Sequence, residues 1–290
     1  MRLLVTGSAG QLGWELQRLV AAMPSGAVQA ALWTDVAELD IADAPAVKKC
    51  FAEFKPTVVI NAAAYTAVDK AESEQAIAFK INRDGAAILA QAAQAHDARF
   101  LHVSTDFIFD GQGKPYEPGD AARPLSVYGA SKHEGEQAVL AAGGQGLIIR
   151  TAWVYSSHGG NFVKTMLRLM AEKPSLSVVT DQVGSPTWAR GLAQTLLAYS
   201  QLAAMPTGIA HYTDSGVASW YDFAVAIQEE ALAIGLLKMP VPVTPIPASS
   251  YPTPAQRPTF SVLNKASTIS VFGAAPHWRV QLRAMLRELQ

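Results

Sequence analysis

Cysteine is nearly absent from this chain: Cys50 is the only one in 290 residues. An intramolecular disulfide is therefore excluded, and the composition suits a reducing cytoplasm. Cys50 falls in the apolar-periodic stretch 47–54, where packing on a helix is expected rather than nucleophilic chemistry. An excess of one charge sign is lacking too. The 23 basic residues are matched by 24 acidic ones, and a formal net charge of −1 gathers neither nucleic acid nor an anionic membrane. No apolar run approaches the ~18–20 residues that span a bilayer. Met1 to Gly7 is expected to lead straight into a strand and a glycine turn, without a secretory pre-sequence. Repeats and low-complexity tracts are missing as well. What remains is half hydrophobic and 16% charged, and long enough for one large core or two unequal ones.

Periodicity supplies the fold class. Short β-rich runs at 3–6, 28–33, 58–61, 99–104 and 147–150 alternate with helical patterns at 11–22, 45–54, 83–95 and 127–141. This rhythm predicts an α/β protein with a doubly wound parallel sheet. The runs Val58-Val59-Ile60 and Leu147-Ile148-Ile149 are continuously apolar, as strands covered on both faces are. After Tyr155 the rhythm loosens. Helices are expected at 161–171, 189–200, 219–233 and 277–289, and a strand at 176–179. Seven prolines between 240 and 258 predict an extended loop there. The expected division is a dinucleotide-binding part over 1–155 and a smaller, mainly substrate-binding lobe over 156–290, some of whose elements return to the first part.

Chemistry enters through two spacings. Gly7, Gly10 and Gly13 follow the first apolar run, the context of a Rossmann-type phosphate turn. Glycine permits the sharp turn and close backbone approach, and free N–H groups at the helix start face a pyrophosphate. At the end of the second strand, Asp35 would hold a ribose 2′-hydroxyl and so favours NADH. Thr34 can still hydrogen-bond a phosphate, so NADPH stays open. Asp40 and Ile41 suit contact with the adenine. Downstream, Tyr128 and Lys132 stand four apart on a helix that Ser126 can cap, so they share a face. A nearby ammonium is expected to lower the tyrosine pKa, making Tyr128 a proton donor to a carbonyl that receives hydride. Thr105, or alternatively Ser104, ends the fourth strand, where a hydroxyl can share the developing alkoxide.

In order and type these residues resemble the extended short-chain dehydrogenase/reductase family, with Asn61-Ala62-Ala63-Ala64 between the glycine turn and Ser104-Thr105-Asp106. The resemblance covers nearly the whole chain and includes the segment Tyr251 to Pro258. It implies a catalytic group of Thr105, Tyr128 and Lys132. It also implies a cofactor lining of Gly10, Gln11, Leu12, Asp40, Ile41, Ala63, Ala64 and Tyr65, and sugar-nucleotide contacts from Asp106, Trp153 and Arg257. The implied reaction is NAD(P)H-dependent reduction of a 4-keto-6-deoxyhexose attached to dTDP, by a monomer or homodimer. Some members bind Mg²⁺ through acids at a dimer interface. Glu15 matches one such position, while Arg190 stands where those members carry a second acid, which argues against the metal. Related 4,6-dehydratases carry Asp-Glu after the threonine. Here Phe107 follows Asp106, so elimination chemistry lacks its second acid. The alternatives are a non-catalytic regulatory subunit similar to the β-subunit of methionine adenosyltransferase, and an epimerase or reductase of another sugar nucleotide.

Overall fold

The computed structural model describes residues 1–290. Its first half contains β1 (Arg2–Thr6), α1 (Gln11–Ala21), β2 (Ala30–Thr34), α2 (Ala44–Phe54), β3 (Val58–Asn61), α3 (Val68–Ala71), α4 (Gln75–Phe79), α5 (Ala86–Ala95), β4 (Arg99–Thr105), α6 (Val127–Ala142) and β5 (Gly146–Thr151). The second contains β6 (Val154–Tyr155), α7 (Phe162–Glu172), β7 (Leu176–Val179), β8 (Val183–Gly184), β9 (Thr187–Trp188), α8 (Ala189–Gln201), β10 (Gly208–His211), β11 (Ala218–Ser219), α9 (Trp220–Ala233), β12 (Val243–Ile246), α10 (Ala266–Phe272) and α11 (Trp278–Leu286). No helix is long and apolar enough to cross a membrane.

Six parallel strands form the main sheet in the order β10-β5-β4-β3-β1-β2. The order reverses between β1 and β3, and ligands of such sheets bind at the carboxyl ends beside that reversal. One face is covered by α1 and α8, whose Leu12, Leu16, Leu192 and Leu196 pack on Leu3, Val5 and Ile60. The other is covered by α2, α5 and α6 through Val47, Phe51, Leu89 and Val139. A separate core of 17 buried residues, all from Tyr155 onwards, gathers α7, α9 and α11. Cys50 sits part-buried on α2, its thiol pushed up by burial and by Glu53, which suits packing rather than nucleophilic chemistry.

Three features were not individually anticipated from the sequence. Residues 208–211 return to the main sheet as its outer strand. The fifth helix does not begin at 83. A π-helical turn over Lys80–Gly85 joins α4 to α5. Within the proline-rich stretch, β12 pairs with β7 in an isolated two-stranded sheet. Pro245 is tolerated there because the other side of β12 is an open edge.

Behind β4 and β5 lies an ion pair withdrawn from water. Arg150 donates to both oxygens of Glu136, at 2.9 and 2.8 Å, with both side chains buried. Burial opposes ionisation, but His133 and Arg150 outweigh it and hold Glu136 at about 2. Replacing Arg150 by Met should leave that carboxylate uncompensated and cost about 3–5 kcal/mol in a urea denaturation experiment.

Candidate active site

The carboxyl edge of the sheet opens into a cleft of about 880 Å³. Gly7 leaves β1 at φ +71°, and a Cβ on it would lie 2.6 Å from the Ala63 backbone nitrogen, so β1 and β3 approach through glycine alone. A Cβ on Gly13 would lie 2.4 Å from the Gly7 carbonyl oxygen, which fixes how closely α1 packs on the turn. Gly13 therefore shapes the turn from behind without lining the cleft. With Gly10 as N-cap, the first N–H groups of α1 have no intrahelical partner at the end that lines the cleft.

Along the cleft from this turn lie Gln11, Leu12, Asp35, Asp40, Ile41, Ala63, Ala64 and Tyr65. Asp35 accepts from the backbone N–H of Ala9 at 3.1 Å, tying the end of β2 to the glycine turn. Asn82, buried on the π turn, accepts from Tyr65 N–H and donates to Ser131 Oγ of α6. It clamps the 63–65 wall to the helix carrying Tyr128 and Lys132. Periodicity gave no sign of this, because the clamp joins residues 49 apart.

Thr105, Asp106, Tyr128 and Lys132 line the cleft together. Ser126 caps α6 by accepting from Gly129 N–H. Burial pushes Tyr128 up to about 12; the Thr105 hydroxyl opposes this and Asp106 adds to it. The lowering expected from Lys132 is not found; that ammonium donates to the Val103 carbonyl at 2.7 Å. Burial brings Lys132 itself down to about 8, against the pull of Glu136. Thr105 donates to Asp106 Oδ1 at 3.1 Å, while Asp106 Oδ2 has no hydrogen-bond partner. Asp106 is raised to about 6, chiefly by burial. Ser104 also lines the cleft.

At the far end, Trp153 adopts φ +50° and stacks on Trp220 at 3.5 Å, an aromatic partner the sequence did not reveal. Arg257 lines the cleft, and most of its guanidinium is already engaged. It forms a fork with Asp69 at 3.0 and 2.8 Å and also donates to Thr253. Its Nε and one Nη2 hydrogen remain uncommitted.

Glu15 is buried, accepting from Ser156 and Arg190, and Arg190 also pairs with Glu288. Two guanidinium groups lie against its carboxylate, Arg190 at 3.1 Å and Arg18 at 3.8 Å, and within the chain no three His, Cys, Asp or Glu side chains converge as metal ligands.

Sheet order, glycine turn and the Tyr128–Lys132 helix define a Rossmann-type protein of the extended short-chain dehydrogenase/reductase class. Within it, residues 1–290 match the model of the RmlD substrate binding domain, and the chain belongs to that family. It is 42% identical over 289 residues to a dTDP-4-dehydrorhamnose reductase from Aggregatibacter actinomycetemcomitans, covering 97% of each chain. The structure of a dTDP-4-dehydrorhamnose reductase from Clostridium acetobutylicum superposes with a TM-score of 0.92, at 41% identity and full coverage of both. That of a dTDP-4-dehydrorhamnose reductase from Bacillus anthracis, solved with NADP, gives 0.91 at 34% identity, covering 100% of this chain and 99% of the other.

The Glu15 cluster gives a direct expectation. Arg190→Ala should destabilise the protein by about 2 kcal/mol or more, by stranding a buried carboxylate. EDTA should leave the melting temperature of the unaltered protein unchanged. Differential scanning fluorimetry checks both.

Proposed function

We propose that the protein reduces dTDP-4-dehydro-β-L-rhamnose to dTDP-L-rhamnose with a reduced nicotinamide dinucleotide. The observation that carries this reading is the convergence of Thr105, Tyr128 and Lys132 with the glycine turn in one cleft. It occurs in a chain about 40% identical, over nearly its full length, to reductases bearing that name. The cofactor, when bound, supplies the hydride for the C4 carbonyl. Tyr128, protonated at neutral pH, then gives its phenolic proton to the oxygen. Thr105 stabilises that oxygen by a hydrogen bond as negative charge develops. Lys132 holds ribose hydroxyls and keeps a positive charge beside the reacting centre. Asp106 and Trp153 contact the sugar nucleotide, and the uncommitted hydrogens of Arg257 serve its phosphates.

We assign residues 1–155 mainly to the dinucleotide and 156–290 mainly to the sugar nucleotide. Asn161, Trp220 and Arg257 reach the cleft from the latter. NADH is the preferred cofactor in this reading. Asp35 lines the cleft at the end of β2, where an acid suits ribose hydroxyls, and the cleft's only two cations are Lys132 and Arg257.

Absorbance at 340 nm with the keto-sugar nucleotide should fall on addition of protein, with a larger kcat/KM for NADH than for NADPH. Tyr128→Phe should lower kcat by about 10²–10⁴. A variant with near-normal turnover would remove Tyr128 as proton donor. Tyr128 stays protonated across the accessible range, so the loss of activity on the basic side should follow Lys132 deprotonation near pH 8. A rate unchanged through pH 10 would sink that assignment.

A further inference from the structure

A buried polar row lies behind the reaction cleft, outside every role assigned above. Thr6, Asn61 and His102 are register neighbours on β1, β3 and β4, each 1% exposed. Lys132 of α6 closes the row. Its donors and acceptors fix one arrangement. Asn61 Oδ1 accepts from the Ala63 backbone N–H at 3.1 Å and from the Thr6 hydroxyl at 2.8 Å. A backbone N–H can only donate, so that oxygen is assigned and Nδ2 is the donor on the other side. Nδ2 lies 3.0 Å from His102 Nδ1, which must accept. A neutral imidazole that accepts at Nδ1 carries its hydrogen on Nε2. The ring is neutral because burial, and then Lys132, hold it well below the ordinary 6.5. Nε2 faces Lys132 Nζ at 3.5 Å.

We propose that His102 is a positioning residue for the reduction: locked by Asn61 as the Nε2–H tautomer, it aims a fixed N–H dipole at Lys132 and favours its amine over its ammonium. Against an ammonium the contact sets donor against donor; against an amine it is a hydrogen bond. His102 therefore sets the pH at which Lys132 loses its charge, and so the basic limit of turnover. The proposal rests on the reductase reading for its functional meaning, but not for its geometry. Glu136, one turn along α6, acts on both groups in the opposite sense. It is already paired with Arg150 of β5 and lies near His133. Tyr128 on α6 and Asp106 after β4 line the cleft together with Lys132.

NMR on the intact protein, with ¹⁵N-labelled histidine and ¹³C-labelled lysine, tests this without substrate. His102 should stay neutral with Nδ1 unprotonated from about pH 6 to 9, where a free histidine would titrate. Lys132 should titrate near pH 8. His102→Phe keeps a ring but removes the N–H, and should raise that midpoint by about half a unit or more. The basic limb of kcat/KM should move with it, a shift that a purely structural role would not produce. An Nδ1–H tautomer in the unaltered protein, or an unmoved or lowered Lys132 midpoint in the variant, overturns the proposal. If His102→Phe does not fold, the tautomer in the unaltered protein decides alone. Failure of turnover, with tautomer and midpoint as expected, would count against the reductase reading and support the pairing.

Discussion

The ammonium of Lys132 is withdrawn from water at the inner end of the cleft, 2% exposed, and much of the surrounding architecture compensates for it. Desolvating a charge costs several kcal/mol unless nearby groups answer it. The Val103 carbonyl answers directly, and Glu136 answers through its field. Glu136 is as buried as the lysine and needs Arg150, which comes from β5 in register with Ser104 of β4. Arg150 spends a further donor on the Pro118 carbonyl and lies over the Phe109 ring. One charge on α6 therefore constrains two strands and the loop beyond β4. This links the stability of the second half of the sheet to the placement of the reacting group.

The other half of the cleft is governed by backbone geometry rather than charge. At the reversal between β1 and β3 the chain passes so close that Gly7 has no room for a Cβ, and Gly13 repeats the constraint one helix turn on. The surface left for an anion is then made of N–H groups and needs no cation. Asp35 bonded to Ala9 fixes the turn from the β2 side. A negative side chain there suits ribose hydroxyls and opposes an added phosphate, so the same contact shapes the turn and bears on cofactor preference.

Much of this was legible because it is local. The glycine spacing, the Ser126 cap and the four-residue step from Tyr128 to Lys132 are short-range patterns, and the structure brings Gly7, Gly10, Tyr128 and Lys132 to one cleft. The first five strands were legible for the same reason, as apolar runs bounded by turns. What sequence concealed depends on distant partners. Gly208–His211 is too short to announce that it joins the sheet beside β5. The π turn reflects Asn82 meeting Ser131 and its carbonyl filling the space above Gly135, neither visible within a window. The pairing of Arg257 was hidden because Asp69 lies 188 residues away. Thr6, Asn61 and His102 did carry a sign, each a polar residue in an otherwise apolar strand. Only strand register shows that they stand side by side.

The far wall of the cleft follows a different logic from the catalytic centre. Trp153 holds a left-handed backbone, a conformation that costs a non-glycine residue about 1–3 kcal/mol and persists only where packing over-determines it. Trp220 stacks on one side, and Gly184 leaves room for the indole where any Cβ would lie 2.7 Å from the ring. Arg257 is likewise held by Asp69 and Thr253 rather than left to search. These side chains are pre-ordered, so they add little entropy cost on binding and tolerate few substrate shapes. Discrimination among sugar nucleotides would then reside in this rigid wall. In the proposed reading the Tyr128–Lys132 centre, which needs only a carbonyl within reach, sets the chemistry, and the choice of sugar falls largely to residues contributed from after β5.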